Sequence, residues 1–164
     1  QQLIEEPGQK WRPVFEQGLD GRITRQAGVP KNFELTGRVQ LTDESHSVLH
    51  FRAEANATTA AATAKSDGYI LALDGALNSL AKTGSISKLA TIRAELIPVG
   101  VWFDLFLRCE ETDMGTMISV FINGIPFVHV TDKSRMASGQ DLFLYTDGAG
   151  SVKIENMRVR EIGS

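Results

Sequence analysis

Two short strings of alternating residues carry most of the side chains able to do chemistry. In "VLHFRAE", His50, Arg52 and Glu54 fall two apart, and in "TIRAELI" Arg93 and Glu95 do the same. Tyr69 and Trp102 open two further apolar runs. At a period of two, residues of one parity line one face of a strand. A planar guanidinium fork and a carboxylate hydrogen-bond well to neighbouring hydroxyls. An aromatic face packs on the apolar face of a sugar ring. Together the seven residues suit a carbohydrate. Arg52, Glu54, Arg93 and Glu95 would exchange hydrogen bonds with hydroxyls, His50 would assist, and Tyr69 and Trp102 would stack on a ring. For Trp102, a place in the core is an equal alternative.

Other chemistries find less support. The three histidines are His46, His50 and His129, and no G-x-S-x-G nucleophile elbow occurs. His46 and His50 would share a metal on a helix, but on a strand they stand about 13 Å apart at roughly 3.3 Å per residue. Glu110, Glu111 and Asp113 in "CEETDMG" are expected in a solvated hairpin loop. The E-x-D-x-E strand motif of many sandwich-fold glucanases is absent.

The elements that must position these residues are strands. Period-two segments such as "FELTGRVQL", "GYILALD", "FDLFLRC", "ISVFI", "DLFLY" and "SVKIENMRVREI" alternate with Gly, Asp and Asn turns. Gly37 interrupts the first of them. About ten to twelve antiparallel strands are expected, a number that implies an all-β, two-sheet sandwich. In "SVFINGIPFVHV", Asn123-Gly124 supplies the positive φ angles of a two-residue type I′ turn, so this hairpin is expected to be scaffold. Residues 53–68, rich in Ala and Thr, read as a long loop, with an N-glycosylation acceptor pattern at Asn56.

Composition bounds the rest. The 164 residues are expected to form one domain, with an ordered core over about residues 10–162. Net charge is −3 with scattered basic residues, which argues against nucleic acid. The single cysteine, Cys109, excludes an internal disulfide and is expected buried in an apolar strand. No apolar run approaches the roughly 20 residues of a membrane span. Without an initial methionine, the chain is expected to be a fragment or a processed product.

The order of motifs resembles a known family. "GYILALDGALNSLAKTGSISKLA", "VGVWFDLFLRC", "ISVFINGIPFVHVTD" and "GQDLFLYTDGAGSVKIENMRVREI" are similar to segments of concanavalin A-like jelly rolls. Within that superfamily they resemble the fructan-binding type of carbohydrate-binding module and the 3-keto-disaccharide hydrolase domains. The resemblance implies that Arg52 matches a strand-borne Arg of the concave binding surface and that Tyr69 matches the aromatic of the "GY" start. Ile70 stands where hydrolase-like members carry an acidic residue, which counts against hydrolysis. Jelly rolls of the superfamily often hold a structural calcium, for which Asp20 and Asp147 are the candidate ligands; both sit in D-G turns, where Asp is also common without a metal, and no cofactor is required.

The leading expectation is a non-catalytic module that binds an oligo- or polysaccharide, secreted to the periplasm or outside the cell, beside a catalytic domain of a larger chain. One alternative is a glycoside-cleaving enzyme with Glu54 or Glu95 as acid or base. Another is a laminin-G-like interaction or structural domain.

Overall fold

The structure is a computed structural model that describes residues 10–15, 23–26, 28–41, 46–53, 68–74, 78–82, 87–92, 100–133, 141–147 and 152–163; for some of these, His50 and Arg52 among them, it describes the backbone alone. Within those residues there are twelve strands and no helix. In chain order they are β1 (Arg12–Pro13), β2 (Ile23–Gln26), β3 (Phe33–Leu41), β4 (His46–Ala53), β5 (Tyr69–Asp74) and β6 (Asn78–Lys82). There follow β7 (Ser87–Ile92), β8 (Trp102–Thr112), β9 (Gly115–Ile122), β10 (Ile125–Asp132), β11 (Asp141–Asp147) and β12 (Val152–Glu161).

Two six-stranded sheets result, ordered β1-β12-β3-β8-β9-β10 and β2-β11-β4-β5-β6-β7. Every strand pair is antiparallel. Alternation explains the core between them. Phe33, Leu35, Val39 and Leu41 of β3, Phe103, Leu105, Leu107 and Cys109 of β8, and Ile118, Val120 and Ile122 of β9 are buried on one side. Leu49 and Phe51 of β4, Tyr69, Leu71 and Leu73 of β5, and Leu142 and Leu144 of β11 are buried from the other. Cys109 is buried and forms no disulfide, as expected.

Gly37 breaks the apolar parity of β3 because Met157 occupies its place. A Cβ there would meet Met157 Sδ at 2.5 Å. The pairing of β12 with β3 shifts between Glu155 and Arg158, so two residues, Asn156 and Met157, stand opposite Gly37. Asn156 takes a left-handed backbone (φ 54°) at this bulge. The inward positions of β12 thus change parity, from Val152 and Ile154 before the bulge to Met157 and Val159 after it.

The hairpin turn is as expected, with Asn123 and Gly124 at φ 52° and 77°. Asn123 does more than turn the chain. Its Oδ1 accepts from the Asp104 N–H (2.8 Å), and its N–H donates to the Asp104 carbonyl (2.9 Å), so the turn is tied to β8. The hairpin before it differs from expectation. Glu110 and Glu111 belong to β8, paired with Met117 and Thr116, and of the three acids only Asp113 lies in the turn. The strand pairing runs on to Thr112 and Gly115, where Thr112 Oγ1 donates to the Gly115 carbonyl (2.9 Å).

Candidate functional site

Strand β4 lies inside its sheet, with β11 on one side and β5 on the other. His50 pairs with Phe143 and Ile70, off the parity of the buried Leu49 and Phe51. The register with β11 then shifts: Phe143 pairs with His50, but Asp141 pairs with Ala53. One extra residue in β4 interrupts the alternation at Phe51–Arg52. The common parity expected for His50, Arg52 and Glu54 therefore does not run unbroken. Bulges of this kind re-aim a side chain or end a pairing. Glu54, Arg93, Glu95 and Asp20 lie outside the described residues, as do most of the 53–68 segment and Asn56. Asp147 closes β11, opposite His46. Among the described residues, no group of three or more His, Cys, Asp or Glu could hold a metal ion.

Tyr69 requires a correction. Its ring is fully buried (0% exposed), stacked 5.5 Å from Phe51. Its hydroxyl donates to Asp132 Oδ2 at 2.7 Å. Burial first, and the Asp132 carboxylate second, push the phenol well above its ordinary value. A ring placed there cannot stack on a sugar. It is a core residue with a polar anchor.

Trp102 stands apart from the other expected residues for a different reason. It opens β8, in the opposite sheet from β4. Its neighbour Phe103 takes the core position, so Trp102 lies on the outer face, half-buried beneath the Arg38 guanidinium at 5.4 Å. Packed sheets lie about 10 Å apart, so the two faces do not share one ligand. Trp102 therefore does not join His50 and Arg52 in a single binding surface.

The outer face of the first sheet holds a polar row that sequence reading missed. Arg160 pairs with Glu34, Glu34 with Arg108, Arg108 with Ser119, and Ser119 with His129. Trp11, just ahead of β1, packs against Arg160 at 4.6 Å. Glu34 is only 4% exposed, and both its oxygens are taken. Arg108 Nη1 reaches Oε2 at 2.9 Å, while Arg160 Nη2 reaches Oε1 at 2.7 Å. Ser119 Oγ lies 2.8 Å from His129 Nδ1. Each member sits at a polar parity in its own strand, but the alignment depends on register between distant strands. Because the carboxylate is saturated by its neighbours, the row braces the sheet.

No family model and no curated protein matches the sequence. The backbone nevertheless superimposes on solved structures along most of its length. Carbohydrate-binding module CBM66 from Bacillus subtilis matches with a TM-score of 0.64 at 16% identity, over 93% of this chain and 92% of that one. The chain has a jelly-roll fold. The jelly roll also matches a protein provisionally named a glycosyl hydrolase from Parabacteroides distasonis, with a TM-score of 0.65 at 14% identity, over 93% and 100% of the two chains. Sheep galectin-11, solved with glycerol, matches at 0.58 and 12% identity, over 86% and 98%. At these identities the likeness is one of fold.

Proposed function

We propose that this jelly roll is a non-catalytic carbohydrate-binding module, with β4 at the centre of its binding face. The observation that carries the reading is the end-to-end match to a carbohydrate-binding module. It is supported by the setting of β4, an interior strand whose core positions are filled by Leu49 and Phe51, with His50 between them and Arg52 at the bulge that follows. Arg52 would offer its guanidinium fork to adjacent hydroxyls, at a bulge that sets it off the regular alternation. Glu54, Arg93 and Glu95 are proposed to complete the hydrogen bonding, with an oligo- or polysaccharide as ligand. Secretion, and attachment to a neighbouring catalytic domain, belong to the same proposal.

A second reading is a glycoside-cleaving enzyme, favoured by the likeness to the Parabacteroides protein. Its acid or base would be Glu54 or Glu95. Ile70, at the position where hydrolase-like relatives place an acid, weighs against it.

The two readings separate on a glycan array followed by product analysis. The module reading expects retention of a glycan by wild type and by Trp102→Ala, loss in Arg52→Ala, and no cleaved product. Release of products from the retained glycan, abolished by Glu54→Gln or Glu95→Gln while binding persists, would replace it with the enzyme.

A further inference from the structure

The outward positions of an antiparallel sheet ordinarily meet water and are polar. On the first sheet some are aromatic. Phe106 of β8 and Phe121 of β9 alternate with the buried Leu105, Leu107, Val120 and Ile122, so their rings lie on the outer face, partly exposed and outside the core. The two are cross-strand partners, edge to face with ring centroids 5.8 Å apart. Register extends the row on both sides: Thr36 of β3 pairs with Phe106, and Pro126 of β10 pairs with Phe121. An uncharged row thus crosses β3, β8, β9 and β10.

Charged pairs border this row. Arg38 pairs with Asp104 on one side of it, and Glu34 with Arg108 on the other. These charges are compensated within the chain: Arg108 and Arg160 hold Glu34, while Arg38 lies 2.9 Å from Glu155 and 3.7 Å from Asp104. The face therefore has no bias toward a charged polymer. An apolar centre with a polar surround, rich in Phe and Arg, is the anatomy of a protein interface. Among the described residues, no element covers the face.

We infer that the outer face of the first sheet joins two copies of this chain, about a two-fold axis parallel to the strands and between β8 and β9. In such an isologous contact each residue pair occurs twice. The axis exchanges β8 with β9 and β3 with β10. Phe106 of each copy then lies over Phe121 of the other, and Thr36 over Pro126. In the neighbouring row Glu34 lies over His129 and Arg108 over Ser119, so no like charges oppose one another. An axis on β8 itself would set Arg108 against Arg108 and Asp104 against Asp104. The area suffices. Strands β12, β3, β8, β9 and β10, about 4.8 Å apart and about 30 Å long, cover roughly 700 Å², close to the roughly 800 Å² per partner of a standard interface. The second sheets end on opposite sides of the pair. The dimer does not depend on the carbohydrate reading; under that reading its two β4 faces point away from each other.

The test is sedimentation equilibrium of the full chain from about 1 to about 500 μM. Wild type should pass from monomer to dimer within this window. Phe106→Lys and Phe121→Asp, each alone, should weaken association about a hundredfold, roughly tenfold for each of two lost aromatic contacts. A cooperative melt shows that each variant folds; where one does not, Thr36→Arg, facing Pro126 of the second copy, replaces it. Met114→Lys, exposed in the turn between β8 and β9, should leave association unchanged. Mixed in equal amounts, the two Phe variants should form a heterodimer, because one Phe106–Phe121 contact becomes Lys–Asp and the other stays aromatic. A wild type monomeric throughout, variants that associate like wild type, or a mixture that stays monomeric would overturn the inference. None of these results bears on glycan binding through Arg52, which the array reads separately.

Discussion

The Tyr69 hydroxyl donates to the Asp132 carboxylate at 2.7 Å, and the two residues belong to different sheets. This bond is a polar cross-link inside an apolar core. Phe33 of the first sheet meets Phe51 of the second edge-on at 6.1 Å, Phe51 stacks on Tyr69, and Tyr69 ends on Asp132 of β10. Asp132 is itself only 6% exposed. Removing a donor from an acceptor so deeply placed is costly.

Tyr69→Phe is therefore expected to destabilise the fold by about 1.5–3 kcal/mol, the range for a hydrogen bond to a charged group. Denaturant unfolding of the two proteins measures it. Glycan binding should be unchanged, since the ring is nowhere near the surface. Loss of binding without loss of stability would restore Tyr69 to the binding site.

The same bond has a signature in alkali. The folded phenol ionises well above its ordinary value near 10. Above that pH the unfolded state loses this proton first, so stability must fall as pH rises. The advantage of wild type over Tyr69→Phe should be full below about pH 10 and shrink by up to about 1.4 kcal/mol per pH unit above it. A difference constant from pH 8 to 11 would contradict this.

Gly37→Ala places a methyl group against Met157 and should cost about 1–3 kcal/mol by overpacking. Pairing it with Met157→Ala should recover part of the loss of the first substitution. Thermal unfolding of the single and double variants, read as a mutant cycle, tests the coupling.

Much of this is legible in the sequence. Alternation identified the strands, the two-sheet class and the Asn123–Gly124 turn, because each is a local property of a few consecutive residues. Alternation also carried the answer for Tyr69, which shares parity with the buried Leu71 and Leu73. Its position at the start of the strand does not override that parity. In "CEETDMG" the acids misled, since strand pairing carries Glu110 and Glu111 past the point where charge suggested a loop. Register between distant strands is another matter. That Arg160, Glu34 and Arg108 align, or that Trp102 and Arg52 lie in different sheets, depends on which strands become neighbours, and no local pattern encodes it. The parity change in β12 left only the faint trace of an Asn before Met157.

Glu34→Ala should destabilise by about 1–3 kcal/mol, because Arg108 and Arg160 lose their common carboxylate; their partial exposure keeps the cost below that of a fully buried pair. Urea titration measures the change, and raising the salt concentration should alter it little, given the burial of Glu34. A change below a few tenths of a kcal/mol would show that the row is ornamental to stability.

The most direct test is isothermal titration of wild type and Arg52→Ala with whichever glycan the array retains. Loss of a charge-assisted hydrogen bond predicts an affinity lower by roughly ten- to a hundredfold, with the melting temperature unchanged. Equal affinities in the two proteins would remove β4 from the binding face. No heat of binding with any glycan would contradict the carbohydrate module itself.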